Sequence, residues 1–199
     1  MKLLGMVGGE YEKLYSPISM KMSDPVYYIS FDDTQGNLLQ GININATLYN
    51  NPQAIDSKVG HGLSLDGNNQ WVDLGTHENE CFGDLNLCPM GYTLAMWIKF
   101  GAKNTEEMYY FSSGGQSGNS YGTTVFIQYG VLWAWVSTST RTWETRFMNP
   151  PRHEWTHVLL TWRKDEGLQL FINGEEVMED HTGTGRPGPP KPKHQVVLG

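Results

Sequence analysis

Cys81 and Cys88 stand seven apart in CFGDLNLC and are the only cysteines in the chain. Two thiolates leave a tetrahedral zinc site half built, and the nearby His77 would supply only a third ligand. A redox pair reads C-x-x-C, which this spacing is not. We therefore expect a disulfide closing a small surface loop, with two free thiols as the alternative. Persistent disulfides belong to an oxidising compartment. The sequon Asn45-Ala46-Thr47 makes Asn45 a glycosylation candidate and agrees with secretion.

The histidines and carboxylates do not assemble into catalytic patterns. His153 and His157 are four apart, the spacing by which a helix aligns two metal ligands. In a strand they share a face but lie about 13 Å apart. Acidic residues cluster at Glu78 and Glu80, Glu106 and Glu107, Asp165 and Glu166, and Glu175, Glu176, Glu179 and Asp180. Each cluster sits beside an expected turn, where solvated charge is the ordinary explanation. No nucleophile elbow, phosphate-binding glycine loop or H-E-x-x-H helix occurs. We expect no enzyme, no cofactor and no catalytic residue. The tryptophans are more suggestive. Trp133 and Trp135 fall on one face of VLWAWVS, and Trp143 follows on the next expected strand. Indole rings are stiff, amphipathic stacking platforms, so these three are candidates for holding a ligand, against the reading that they fill the core.

The 199 residues suffice for one sizeable domain with its own core. Seven Trp, ten Tyr and seven Phe require burial or a ligand face, which argues against disorder. The net charge of −7, with Lys and Arg scattered, is the wrong sign for a nucleic-acid surface. No apolar run reaches the roughly 18 residues of a membrane span. The opening MKLLGMVGGEYEKLY has a signal-like apolar patch broken by glycines, so residues 1–23 read as a leader or flexible segment.

Strand signals fill the rest. Val26–Phe31 is a β-branched and aromatic run ended by Asp32-Asp33. GININATLYNN reads as an Asn-rich strand or loop, and Asp66-Gly67 turns between two short strands at 63–65 and 71–74. In TLAMWIKF, Leu94, Met96, Ile98 and Phe100 share one face. YYFSSGG, TTVFIQYG, VLWAWVSTS, TWETRFM, WTHVLLTWR, LQLFI and VVLG follow, with a proline-rich loop before the last. Helical periodicity is almost absent. About ten short strands spaced this way predict an all-β fold, a two-sheet antiparallel β-sandwich or jelly roll.

In order, DPVYYISFDD, GHGLSLDGNNQWVDLG, CFGDLNLCPMGYTLAMWIKF and HEWTHVLLTWRKDEGLQLFINGEEV resemble the laminin-G-like or pentraxin-like jelly roll of the concanavalin A-like lectin/glucanase superfamily, as found in adhesion G-protein-coupled receptor ectodomains. The resemblance covers residues 24–199. It implies an extracellular recognition or adhesion module within a larger multidomain ectodomain, binding a protein or glycan partner, with a rim-calcium lectin as the alternative. A glucan-hydrolase remnant is more remote, because the E-x-D-x-x-E or E-x-D-x-E strand of the superfamily's glucanases does not occur. Asp66, Asn68 and Asn69 are the oxygen ligands that a rim calcium would use, yet turn chemistry accounts for them, and no metal is assigned. The family continues past a strand like QVVLG with a final strand that returns beside the first. The expectation is therefore a domain lacking that strand (a truncated product, a fragment, or a strand supplied from elsewhere), with an unpaired edge at Val26–Phe31.

Overall fold

The computed structural model describes residues 2–4, 26–32, 34–102, 107–116, 120–186, 191–192 and 195–199. Its strands are β1 (Lys2–Leu4), β2 (Thr34–Gln35), β3 (Leu38–Gln40), β4 (Asn45–Tyr49), β5 (Gln53–Asp56), β6 (His61–Ser64), β7 (Trp71–Thr76), β8 (Tyr92–Lys99) and β9 (Met108–Ser112). They continue as β10 (Ser120–Gln128), β11 (Val131–Ser137), β12 (Arg141–Met148), β13 (Trp155–Arg163), β14 (Gly167–Ile172), β15 (Glu175–Asp180), β16 (Thr184–Gly185), β17 (Lys191–Pro192) and β18 (Gln195–Leu198). Among the described residues one 3-10 turn, Leu85–Leu87, interrupts them.

Two sheets result. The smaller runs β15-β14-β13-β8-β1-β6-β5, and the larger runs β16-β12-β11-β10-β9-β18-β7-β4-β3-β2. All pairs are antiparallel except β17, which lies parallel to β10. The period-two pattern explains the layering. On β8, Leu94, Met96 and Ile98 are buried to 3% exposure or less, and Val158, Leu160 and Trp162 of β13 face the same interior. Val125 and Ile127 of β10, with Leu132, Ala134 and Val136 of β11, close the core from the larger sheet.

The β14–β15 hairpin shows how local chemistry sets register. Asn173 and Gly174 both take positive φ, +51° and +86°, as a tight type I′ turn demands. Asn173 also ties the turn to β13: its Oδ1 accepts from the His157 N–H at 2.9 Å, and its own N–H donates to the His157 carbonyl at 2.9 Å.

Cys81 and Cys88 are joined as a disulfide. Within the loop, the Asp84 carboxylate accepts from the Asn86 N–H, and Asn86 Oδ1 in turn accepts from the backbone and hydroxyl of Ser139. The loop is thereby fastened to the β11–β12 turn. Replacing both cysteines by serine is expected to cost about 2.5 kcal/mol, the entropy that so short a loop removes from the unfolded chain. Urea melts of the variant and of the reduced parent should coincide, and an unshifted midpoint would contradict this role.

Several expectations are corrected. Val26–Phe31 is not a strand: only Tyr28 pairs, in an isolated bridge to Ile42, so no edge strand forms there. The run is apolar because Ile29 and Phe31 are plugged into the core at 3% and 1% exposure. Of the segment expected as a leader, Lys2–Leu4 form β1, inserted between β6 and β8, and the rest of it lies outside the described residues. The proline-rich stretch near the C-terminus is not wholly irregular. Pro192 sits in β17, which among the described residues pairs only with β10, and at such an edge a missing N–H donor is tolerated.

Candidate functional site

Alternation along β11 sends Leu132, Ala134 and Val136 inward and Val131, Trp133 and Trp135 outward. Register then aligns side chains across neighbouring strands. Tyr109, Phe126, Trp133 and Arg146 form one outward row, and Ser112, Thr124, Trp135 and Glu144 form the next. The Tyr109 and Phe126 rings are 5.6 Å apart at 26°, and Phe126 and Trp133 are 6.4 Å apart at 12°. The Arg146 guanidinium lies 5.8 Å over the Trp133 ring and ends the row, a cation–π contact. Trp135 crosses Phe126 at 81° and Trp133 at 89°. Phe126 is only 2% exposed yet does not belong to the core cluster, because its outward neighbours hide it.

A polar fringe borders the rings. The Glu107 carboxylate accepts from the Tyr109 hydroxyl at 2.9 Å and from Gln128 Nε2 at 2.8 Å. Burial, with the bond to Glu107, pushes the Tyr109 hydroxyl up to about 12, so it stays a neutral donor. At the other border, Thr124 and Ser137 hydroxyls donate to the Gly114 and Gly115 carbonyls at 2.6 and 3.0 Å, holding the 113–116 loop over that end. Stiff rings bordered by a guanidinium, carboxylates and amides can hold an amphipathic ligand by apolar contact and hydrogen bonds.

The other sequence candidates lie elsewhere. Trp143 is not on this face. On β12 it pairs with Val136 of β11, so parity points it into the core, where it is 2% exposed and meets Trp162 edge-on at 5.3 Å. Asn45 is exposed at the start of β4. Asp66, Asn68 and Asn69 build a turn: Asp66 Oδ1 accepts from the Asn68 N–H, and the Asn69 carbonyl accepts from Asn50 Nδ2. Among the described residues no group of three His, Cys, Asp or Glu converges on a metal-sized site. His77 is turned to Glu80 at 2.6 Å, and Glu80 also accepts from the Tyr27 hydroxyl. The bonds from Tyr27 and His77 hold the Glu80 carboxyl below its usual range. Sequence reasoning missed Phe126 and Arg146. The alternation of TTVFIQYG already places Phe126 opposite the core positions Val125 and Ile127, but Arg146 needed the register of β12.

These sheets define a two-layer antiparallel sandwich built to present a face, and the comparisons agree on its class. The family model described as the concanavalin A-like lectin/glucanases superfamily, a laminin-G type, matches residues 66–199, and the chain belongs to that family. It is 26% identical over 161 residues to adhesion G-protein coupled receptor D1 of Bos taurus, covering 77% of this chain and 18% of that protein. To the Homo sapiens receptor it is 26% identical over 152 residues, covering 76% and 16%. The chain thus spans less than a fifth of those relatives. Among solved structures, the botulinum neurotoxin serotype D binding domain is similar with a TM-score of 0.60 at 14% identity, covering 83% of this chain and 41% of that one. The binding domain of Paraclostridial Mosquitocidal Protein 1 gives 0.58 at 14%, covering 82% and 45%. At such identity the likeness is one of fold.

Proposed function

We propose that this chain is a non-catalytic extracellular recognition module, part of a larger ectodomain, which binds a protein or glycan partner through the outward face of its larger sheet. The observation that carries the reading is the placement of Trp133 and Trp135 outside the core, flanked by exposed Arg146 and Glu144. A large apolar side chain held partly exposed beside charged neighbours is the composition of a contact centre. The likeness to an adhesion receptor supports the extracellular setting, as do the disulfide and the surface position of Asn45, which we assign as a glycan carrier. Other acidic groups are held in ion pairs: Glu166 and Asp165 with Arg163, and Glu80 with His77.

The test is binding of the labelled chain to mammalian cell surfaces by flow cytometry. Trp133→Ala with Arg146→Ala is expected to weaken binding at least tenfold while leaving the melting temperature within a few degrees, since both sites are outside the core. Undiminished binding by this variant would sink the assignment of the face. Protease or glycosidase treatment of the cells then separates a protein partner from a glycan.

A further inference from the structure

The two sheets leave a cleft where β5, the end of the smaller sheet, meets the β2–β4 end of the larger one, at the other end of that sheet from β11. Its volume is about 460 Å³. Leu48 and Leu63, 8% and 1% exposed, give it apolar surface, Asn37, Asn50 and Gln53 give it amides, and no residue lining it is charged. Ala54 opposes Leu63, so register turns its side chain to the interior, yet it is exposed because the sandwich is open there. The wall between β4 and β5 is firmly held. Asn50 and Asn51 both take positive φ, +59° and +57°. Gln70 Nε2 donates to both of their carbonyls, at 3.2 and 3.3 Å, and Asn50 Nδ2 donates to the Asn69 carbonyl at 2.6 Å. Consecutive left-handed residues of this kind persist only where their surroundings hold them, and they gather at ligand clamps.

We infer that β5 and this cleft form a second binding site, which takes an extended peptide as an added antiparallel strand. The backbone sets which groups do the pairing. The His61 N–H donates to Asp32 Oδ1 at 2.6 Å, whereas in the next pair the Ser57 N–H donates to the Gly60 carbonyl at 3.0 Å. Asp56 and His61 therefore oppose each other without exchanging hydrogen bonds, and alternation puts Ala54 and Leu63 in the same class. The N–H and C=O of Ala54 and of Asp56 point off the sheet, where no further strand meets them among the described residues. Such an edge is a template for another chain. Cross-strand partners share a face, so the peptide residue opposite Ala54 sends its side chain over the cleft, where the uncharged lining suits an apolar group. The residue opposite Asp56 meets an exposed carboxylate that has no ion pair among the described residues, and a cation fits there. Antiparallel to β5, the peptide reads cation, any residue, apolar residue. The footprint of one short strand is far below the roughly 1,200 Å² of a stable interface, so exchange is fast and binding weak.

Titration of the ¹⁵N-labelled chain with the peptide TTKTLTT, followed by NMR, tests the site. The Ala54 and Asp56 amides should shift and their hydrogen exchange should slow. Methylating the peptide nitrogens of its lysine and leucine removes the donors that face β5 and should weaken binding at least tenfold. TTKTSTT should bind about tenfold more weakly, for want of the apolar side chain, and TTETLTT about threefold more weakly. Asp56→Lys should invert the order of TTKTLTT and TTETLTT. Ala54→Pro should abolish binding with the melting temperature within a few degrees, because a proline whose missing N–H faces off an edge is tolerated. Asp56→Lys leaves the backbone as it is and decides the matter should Ala54→Pro fail to fold. Silence from TTKTLTT at millimolar concentration, equal affinity of the methylated peptide, or an unchanged charge preference in Asp56→Lys would overturn the site. Shifts of the same amides on concentrating the chain alone would give the edge to a second copy, and would overturn it too.

Discussion

Trp143→Ala is expected to lower the stability of the chain by about 3–5 kcal/mol, the cost of removing a fully buried indole and leaving its cavity. Trp143 is 2% exposed and packs edge-on against Trp162, itself 2% exposed, where the two sheets meet. In urea, with a slope of roughly 2 kcal/mol/M for a chain of this size, the midpoint should fall by about 2 M. Trp143→Phe should cost much less. The Trp143 Nε1 is buried with no hydrogen-bond partner, so phenylalanine keeps most of the apolar contact while discarding an unsatisfied donor. This pair of variants separates two roles that the sequence cannot. A structural tryptophan loses stability and, below its melting point, keeps ligand affinity. Were Trp143→Ala as stable as the parent but defective in binding, the assignment of this residue to the core would fail.

The second large effect is acid sensitivity at His157. Its side chain is 5% exposed and its ring lies 5.1 Å from that of Trp97, and burial lowers its pKa from 6.5 to about 4. A folded-state value below the unfolded one means that the native chain resists the proton which the unfolded chain takes up. The associated stability is fully present above about pH 6.5 and is lost as the pH falls towards 4. Between pH 7 and pH 5 the loss is about 2 kcal/mol, and it approaches about 3 kcal/mol at pH 4. Urea melts of the parent and of His157→Gln at those pH values provide the measurement. The variant should be weaker at neutral pH but show a flatter decline. Parallel declines would mean that another group sets the acid limit.

Much of this architecture is legible in the residues. The alternation of Leu94, Met96, Ile98 and Phe100 is a local property of a pleated strand, and all four are buried as that alternation requires. Asn173-Gly174 demands positive φ wherever it occurs, so its turn is readable without partners. Val26–Phe31 misleads for a physical reason: β-branched and aromatic residues signal burial as much as pairing, and here Ile29 and Phe31 are buried while the backbone finds only one bridge. Trp143 misleads in the converse way, since an indole is equally at home in a core and on a binding face. Only its parity relative to Val136 decides.

What the sequence determined by itself was the period-two pattern, the turn positions, the Cys81–Cys88 loop and hence the class of fold, because each depends on residues within one strand or one turn. What only the tertiary structure decided was which strands lie side by side. Trp71 and Trp133 are 62 positions apart, yet the order β7-β18-β9-β10-β11 sets them on the same outward face of one sheet. Strand order and register are settled by burying two sheets against each other over the whole chain, and no short window of sequence contains that information.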